Sequence, residues 1–140
     1  EWNAVLTNIS ASSDSGMIVV PTTFYYSVLY TRDHLKIPHA LTTYPIPWED
    51  LYEGERKSPS ADQRRQWLDK NIVADEVWLL EPRMAFEGDS VLINWFSEKY
   101  SPPELETRYP GKGSDYALPT RIYHFNRPIA DSAISSPATP

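Results

Sequence analysis

The sequence predicts an α/β fold: a three-layer sandwich with a mainly parallel sheet of about five strands and a C-terminal antiparallel hairpin. Short aliphatic runs, MIVV at 17–20 and VWLL at 77–80, have the composition of strands buried on both faces. The stretches between them repeat their apolar residues with helical spacing. The closing stretch LETRYPGKGSDYALPTRIYHF reads as two strands joined by a glycine-containing loop.

Taken in order, residues 1–12 place Trp2, Val5, Leu6 and Ile9 on one stripe of a short amphipathic helix. SSDSG turns the chain into the first strand, which Pro21 ends. Thr22 or Thr23 is expected to cap the next helix, in which Tyr25, Val28 and Leu29 share a face and Phe24 lies on its edge. HALTTYP is the second strand. PIPWEDLYEGERKSPS is a loop, because its prolines and acidic residues break both periodicities. Ser60 and Gln63 have capping-box spacing and open a helix anchored by Trp67, Leu68 and Ile72. EVWLLEP is the clearest strand. Asp89 or Ser90 then opens a helix with Leu92, Trp95, Phe96 and Tyr100 inward.

One domain over residues 1–128 and a Ser/Pro-rich tail over 129–140 account for the 140 residues. A hydrophobic content of 41% is enough for a real core. The net charge of −6, with no Lys/Arg-rich run, argues against nucleic acid or an anionic membrane as partner, since both need a basic footprint. The absence of cysteine removes disulfides, thiolate nucleophiles and cysteine metal sites. No apolar run reaches the roughly 18 residues of a membrane span, and the first residues lack the basic start and apolar core of a signal peptide. It begins EWNAVL without methionine, which leaves room for natural sequence upstream.

Fingerprints of chemistry are sparse. A phosphate cradle after the first strand would need glycines, but the turn reads VVPTTFYY, so neither a dinucleotide nor a Walker motif is available and no cofactor is expected. His34, His39 and His124 lack metal-ligand spacing, and no metal site is expected. There is no G-x-S-x-G. The acidic run WEDLYEGE could hold a cation or supply paired carboxylates, against a solvated loop as the plainer reading. The most distinctive feature is aromatic: Tyr25, Tyr26, Tyr30, Tyr44, Trp48 and Tyr52 fall around the second helix and the proline-rich loop. Rings with a polar tip suit stacking on sugars or contact with a membrane interface, although some of them must be core.

Three segments, SDSGMIVVPTTFYYSVLYTR, ADEVWLLEPRMAFEGDSVLINWFSEKY and ELETRYPGKGSDYALPTRIYHF, together resemble a known domain. It is the soluble C-terminal domain of polyprenyl-phosphate-sugar-dependent membrane glycosyltransferases, the relatives of protein O-mannosyltransferases and lipid A aminoarabinose transferases. Met17 to Pro21, Val77 to Leu80 and Arg121 to Phe125 stand where that family has its strand leading to a tyrosine-rich helix, its VWLV strand and its closing RVYLY strand. EWNAVLTNIS looks like the helix that leaves the last membrane span. The resemblance covers nearly the whole chain, through strand patterns and not catalytic fingerprints. It implies a non-catalytic accessory domain on the extracytoplasmic face of a membrane, periplasmic or extracellular, within a larger polytopic protein. The membrane-embedded part of the same polypeptide would be its partner, with a glycan or lipid-linked sugar nearby. In that family the catalytic carboxylates belong to loops of the membrane part, so no catalytic residue is assigned here. The alternative is a free-standing small α/β sugar-binding protein or hydrolase.

If a binding surface exists, it should lie beyond the carboxyl ends of the parallel strands. That places Thr22, Thr23, Tyr25 and Tyr26 after the first strand and Glu81 and Arg83 after the third, converging if the two strands are neighbours. Arg83 could then pair a phosphate or carboxylate while a tyrosine packs on a sugar ring. The competing reading makes Glu81 and Arg83 a solvated loop pair and gives the tyrosines to the helix–sheet interface.

Overall fold

The computed structural model describes residues 2–47, 59–82, 89–108 and 119–128. The acidic run around Trp48 and Tyr52, Arg83, the glycine-containing connection at 109–118 and the tail at 129–140 lie outside them. The elements are α1 (Trp2–Ser12), β1 (Gly16–Pro21), α2 (Thr22–Leu35), β2 (Leu41–Ile46), α3 (Ala61–Asn71), β3 (Glu76–Glu81), α4 (Ser90–Lys99), β4 (Glu104–Arg108) and β5 (Thr120–Asn126). They form one α/β unit around a five-stranded sheet of order β2-β1-β3-β5-β4.

β1 pairs in parallel with β2 and β3, whereas β5 runs antiparallel to both β3 and β4. The sheet is therefore mixed, not mainly parallel as the periodicity suggested. The reason lies in the last two strands. After α4 the chain lays β4 one position away from β3, and β5 returns into the slot between them. The more apolar strand takes that inner place: Ile122 and Phe125 of β5 are buried, while β4 (ELETR) is exposed along most of its length. The antiparallel pairing of β4 with β5 runs from Glu104 opposite His124 to Arg108 opposite Thr120. The turn that would make them a hairpin lies outside the described residues.

Strand alternation divides the core in two. Met17, Val19, Val77, Leu79 and Phe125 face α3 and α4, where Leu68, Ile72, Leu92, Trp95, Phe96 and Tyr100 cover them. Ile18, Val20, Trp78, Leu80 and Ile122 face α1 and α2, under Val5, Leu6, Ile9 and Val28. Helices on both faces follow from the connections. β2 and β3 lie on opposite sides of β1, so two right-handed crossovers put α2 and α3 on opposite faces of the sheet. Val19, Val20, Trp78, Leu80, Trp95 and Ile122, the core that the strand and helix patterns imply, are all buried.

Local signals explain most boundaries. Ser60 accepts from Gln63 N at 3.2 Å while its own N–H donates to Gln63 Oε1 at 2.9 Å, a complete capping box. Asp89 caps α4 by accepting from Leu92 N at 3.0 Å. Thr22 is not a cap: Pro21 takes that position, and the Thr22 hydroxyl donates instead to the Ile46 carbonyl at 2.6 Å, tying the start of α2 to the end of β2. Gly16 opens β1 at φ +120°, where an added Cβ would stand 2.9 Å from the Glu76 carbonyl oxygen. Pro45 is tolerated because β2 is an edge strand.

Candidate functional site

The carboxyl edge of the parallel strands is where the fold gathers polar groups. β1, β2 and β3 all end there, and α2, α3 and α4 begin there. Two carboxylates are nearly fully buried at this edge. Glu81, the last residue of β3, is 4% exposed and has Arg121 of β5 as its cross-strand neighbour, with Arg121 Nη1 3.5 Å from Glu81 Oε1. Asp89, the cap of α4, is 2% exposed and receives Arg64 Nη1 of α3 at 3.4 Å. Buried charges are costly unless paired, and each acid here meets an arginine from a neighbouring element. Both pairs lie on the α3/α4 side, since Glu81 shares strand parity with Val77 and Leu79.

The expected binding residues separate accordingly. β1 and β3 are adjacent, so the ends at Pro21 and Glu81 do come to one edge. Tyr25 and Tyr26 nonetheless ride on α2, on the other face of the sheet from Glu81. Tyr25 is half-buried against the core, with its ring centroid 5.4 Å from that of Tyr26. Tyr26 itself is 76% exposed, so the helix–sheet interface does not absorb it. Thr22 is engaged with Ile46, and Thr23 is exposed in the first turn of α2. Arg83 is outside the described residues.

Two polar groups were not anticipated. Arg32 lies on the inner face of α2 and is 8% exposed, its guanidinium donating to the Thr43 hydroxyl and, at 3.0 Å, to the Pro38 carbonyl. It straps the α2–β2 connection. At the amino end of β3, the His124 ring stacks on Trp78 with centroids 3.7 Å apart and planes 6° apart. His124 Nε2 lies 2.9 Å from Glu76 Oε2, and its Nδ1 lies 3.9 Å from Glu104 of the edge strand. Trp78 Nε1 donates to Ser13 Oγ at 3.2 Å. Period-two alternation puts Trp78 on one face and His124 on one face; only the β3–β5 register makes it the same face.

Among the described residues, no three His, Asp or Glu side chains are grouped so as to hold a metal ion, and no helix is long and apolar enough to cross a membrane. A depression of about 620 Å³ lies between Pro47, Pro59 and the Gln63–Asn71 side of α3, lined by polar groups and Trp67. At the carboxyl edge Glu81 and Asp89 each stand against an arginine of a neighbouring element, Arg121 and Arg64, an arrangement that holds those elements together. The chain matches no protein-family model, no curated protein and no solved structure.

Proposed function

We propose that the chain is a non-catalytic accessory domain of a membrane glycosyltransferase that draws its sugar from a polyprenyl-phosphate donor. On this reading it stands on the extracytoplasmic face, joined to the membrane-embedded part of the same polypeptide. One observation carries the proposal. The three segments that resemble that family fall on β1–α2, β3–α4 and β4–β5, which supply every strand of the sheet except β2. The resemblance is therefore spread over the framework and not confined to one local pattern. The pairing of Glu81 and Asp89 with arginines also suits a supporting domain, which needs a stable framework and no reactive carboxylate.

Purified chain incubated with polyprenyl-phosphate sugars and peptide or lipid acceptors should show no transfer above background. Turnover that depends on a carboxylate of this chain would overturn the proposal. The natural gene supplies a second check: upstream sequence should encode a series of hydrophobic spans, and a start codon close before Glu1 would exclude it. A free-standing sugar-binding protein is the second reading. The exposure of Tyr26 and Tyr30 favours it, at 76% each.

A further inference from the structure

The sheet has two edges, and they differ. β2, at one edge, carries Pro45, which has no N–H to offer a further strand. β4, at the other, contains no proline, and Glu104, Leu105, Glu106 and Thr107 are all exposed. Among the described residues β4 has a strand on one side only, so its backbone groups that point away from β5 are open to another chain. Charged side chains commonly blunt such an edge, because a further strand sets like charges opposite each other. ELETR escapes this in one register.

Side chains alternate along β4. Glu104, Glu106 and Arg108 lie on the face of Ile122 and His124, and Leu105 and Thr107 on the face of Tyr123. A second copy that extends the sheet antiparallel is related to the first by a two-fold axis through the sheet, which keeps each face on its own side. The axis must therefore pass between one residue of β4 and the same residue of the copy. Charge separates the possible centres. On Glu104, Glu106 or Arg108, the axis sets two like charges against each other. On Leu105, it sets Glu104 opposite Glu106 twice. On Thr107, it sets Glu106 opposite Arg108 twice and adds a Thr–Thr pair, which is favourable across strands. Arg108 Nε lies 2.7 Å from Glu106 Oε1 of its own strand, with the two side chains 29% and 49% exposed. In the pair each guanidinium gains a second carboxylate, which its several N–H donors can serve. Leu105, 58% exposed, neighbours Thr107 on the other face and loses water against the partner strand.

We infer that β4 is a self-recognition strand: two copies of the chain pair antiparallel through it, centred on Thr107, and join their sheets into one. Such pairing needs no membrane part, so it stands or falls apart from the accessory-domain reading.

Sedimentation of the chain over a concentration series tests it. A strand pair this short buries less than a standard interface, so the dimer should be weak and reversible, appearing at roughly 0.1 mM. Glu106→Arg sets arginines opposite each other at both ends of the pair, and Arg108→Glu does the same with glutamates. Each should weaken self-association by about tenfold or more. Mixed in equal amounts, the two variants should associate again, because each then meets opposite charge across the interface although not within its own strand. Both side chains are solvent-accessible, so the amide spectra of the variants should show an intact fold. A wild-type chain that stays monomeric to about 1 mM, a dimer that both charge reversals leave intact, or a mixture that stays monomeric would each overturn the inference. So would β4 amides equally protected from exchange in dilute and concentrated wild-type chain, which would mean that the chain's own residues cover the edge.

Discussion

The two helical layers do the same mechanical task with opposite surfaces. α3 and α4 are joined by polar links at every level: Arg64 to Asp89, Arg65 to Glu98 and Trp95 Nε1 to Asp69 at 2.8 Å. Both helices open with side-chain caps, at Ser60 and Asp89. α1 and α2 instead meet through apolar contact, as where Trp2 approaches Phe24 with centroids 6.2 Å apart, and leave Tyr26 and Tyr30 in water. Burial is equally complete beneath the two layers, so the contrast is not one of core quality. It concerns the outer surfaces: one is cross-linked by its own charges, the other leaves Tyr26 and Tyr30 exposed, with charge only in the last turn of α2.

If the cores are equivalent, they should fail equally. Phe96→Ala removes a ring stacked on Phe125 at 4.3 Å under α3/α4, and Leu80→Ala removes a fully buried side chain under α1/α2. Each should cost about 3–5 kcal/mol in urea-melt stability. A loss below roughly 0.5 kcal/mol in either, the range of surface substitutions, would break the comparison by showing that one layer is not core.

The charged links should weigh less, and only on one side. Asp89→Ala strips the α4 cap and leaves Arg64 without its buried partner, for a loss of about 3 kcal/mol. Glu98→Ala, at an exposed pair with Arg65, should cost no more than about 1 kcal/mol. If the two lose the same amount in parallel chemical denaturation, burial is not what gives Asp89 its weight.

A pH effect also belongs to the α3/α4 side. Burial pushes the Tyr100 phenol above the ordinary tyrosine value of 10.0, an effect that Arg127 partly offsets, and its hydroxyl donates to the Ala74 carbonyl at 2.6 Å. The folded state therefore holds this proton more tightly than the unfolded chain. Its contribution is complete below pH 10 and is lost as pH rises past that value. Tyr100→Phe should cost about 1 kcal/mol at neutral pH and flatten the fall in stability above pH 10. An unchanged alkaline slope would remove Tyr100 from the account.

The smallest effect on stability should come from the open face. Tyr26→Ala and Tyr30→Ala together should change the unfolding free energy by less than about 0.5 kcal/mol. A large loss of stability would mean that these rings pack against something, and the contrast between the layers would narrow.

The helices, strands and core of this chain were legible because each depends on residues near in sequence. Trp2, Val5, Leu6 and Ile9 make a stripe in any context, Ser60 and Gln63 cap a helix three residues apart, and MIVV and VWLL can only be satisfied by burial. The surroundings of Arg32 and His124 escaped notice because their partners are Thr43 and Pro38 in one case, and Glu76, Trp78 and Glu104 in the other. No local pattern announces such partners. Tyr25 and Tyr26 shared a candidate site by adjacency in sequence, but helical geometry turns one toward the sheet and the other to solvent.

By itself, then, the sequence determined the α/β class, the nine elements of the described residues, the buried strand faces and the absence of cysteine chemistry. Tertiary structure alone decided that β5 enters between β3 and β4, which makes the sheet mixed. It also placed Glu81 and Tyr26 on opposite faces and left Tyr26 and Tyr30 in water. The physical reason is one of range. Periodicity and capping are settled within a few residues, whereas strand order and the pairing of buried charges are settled by competition among distant segments for the same interior space.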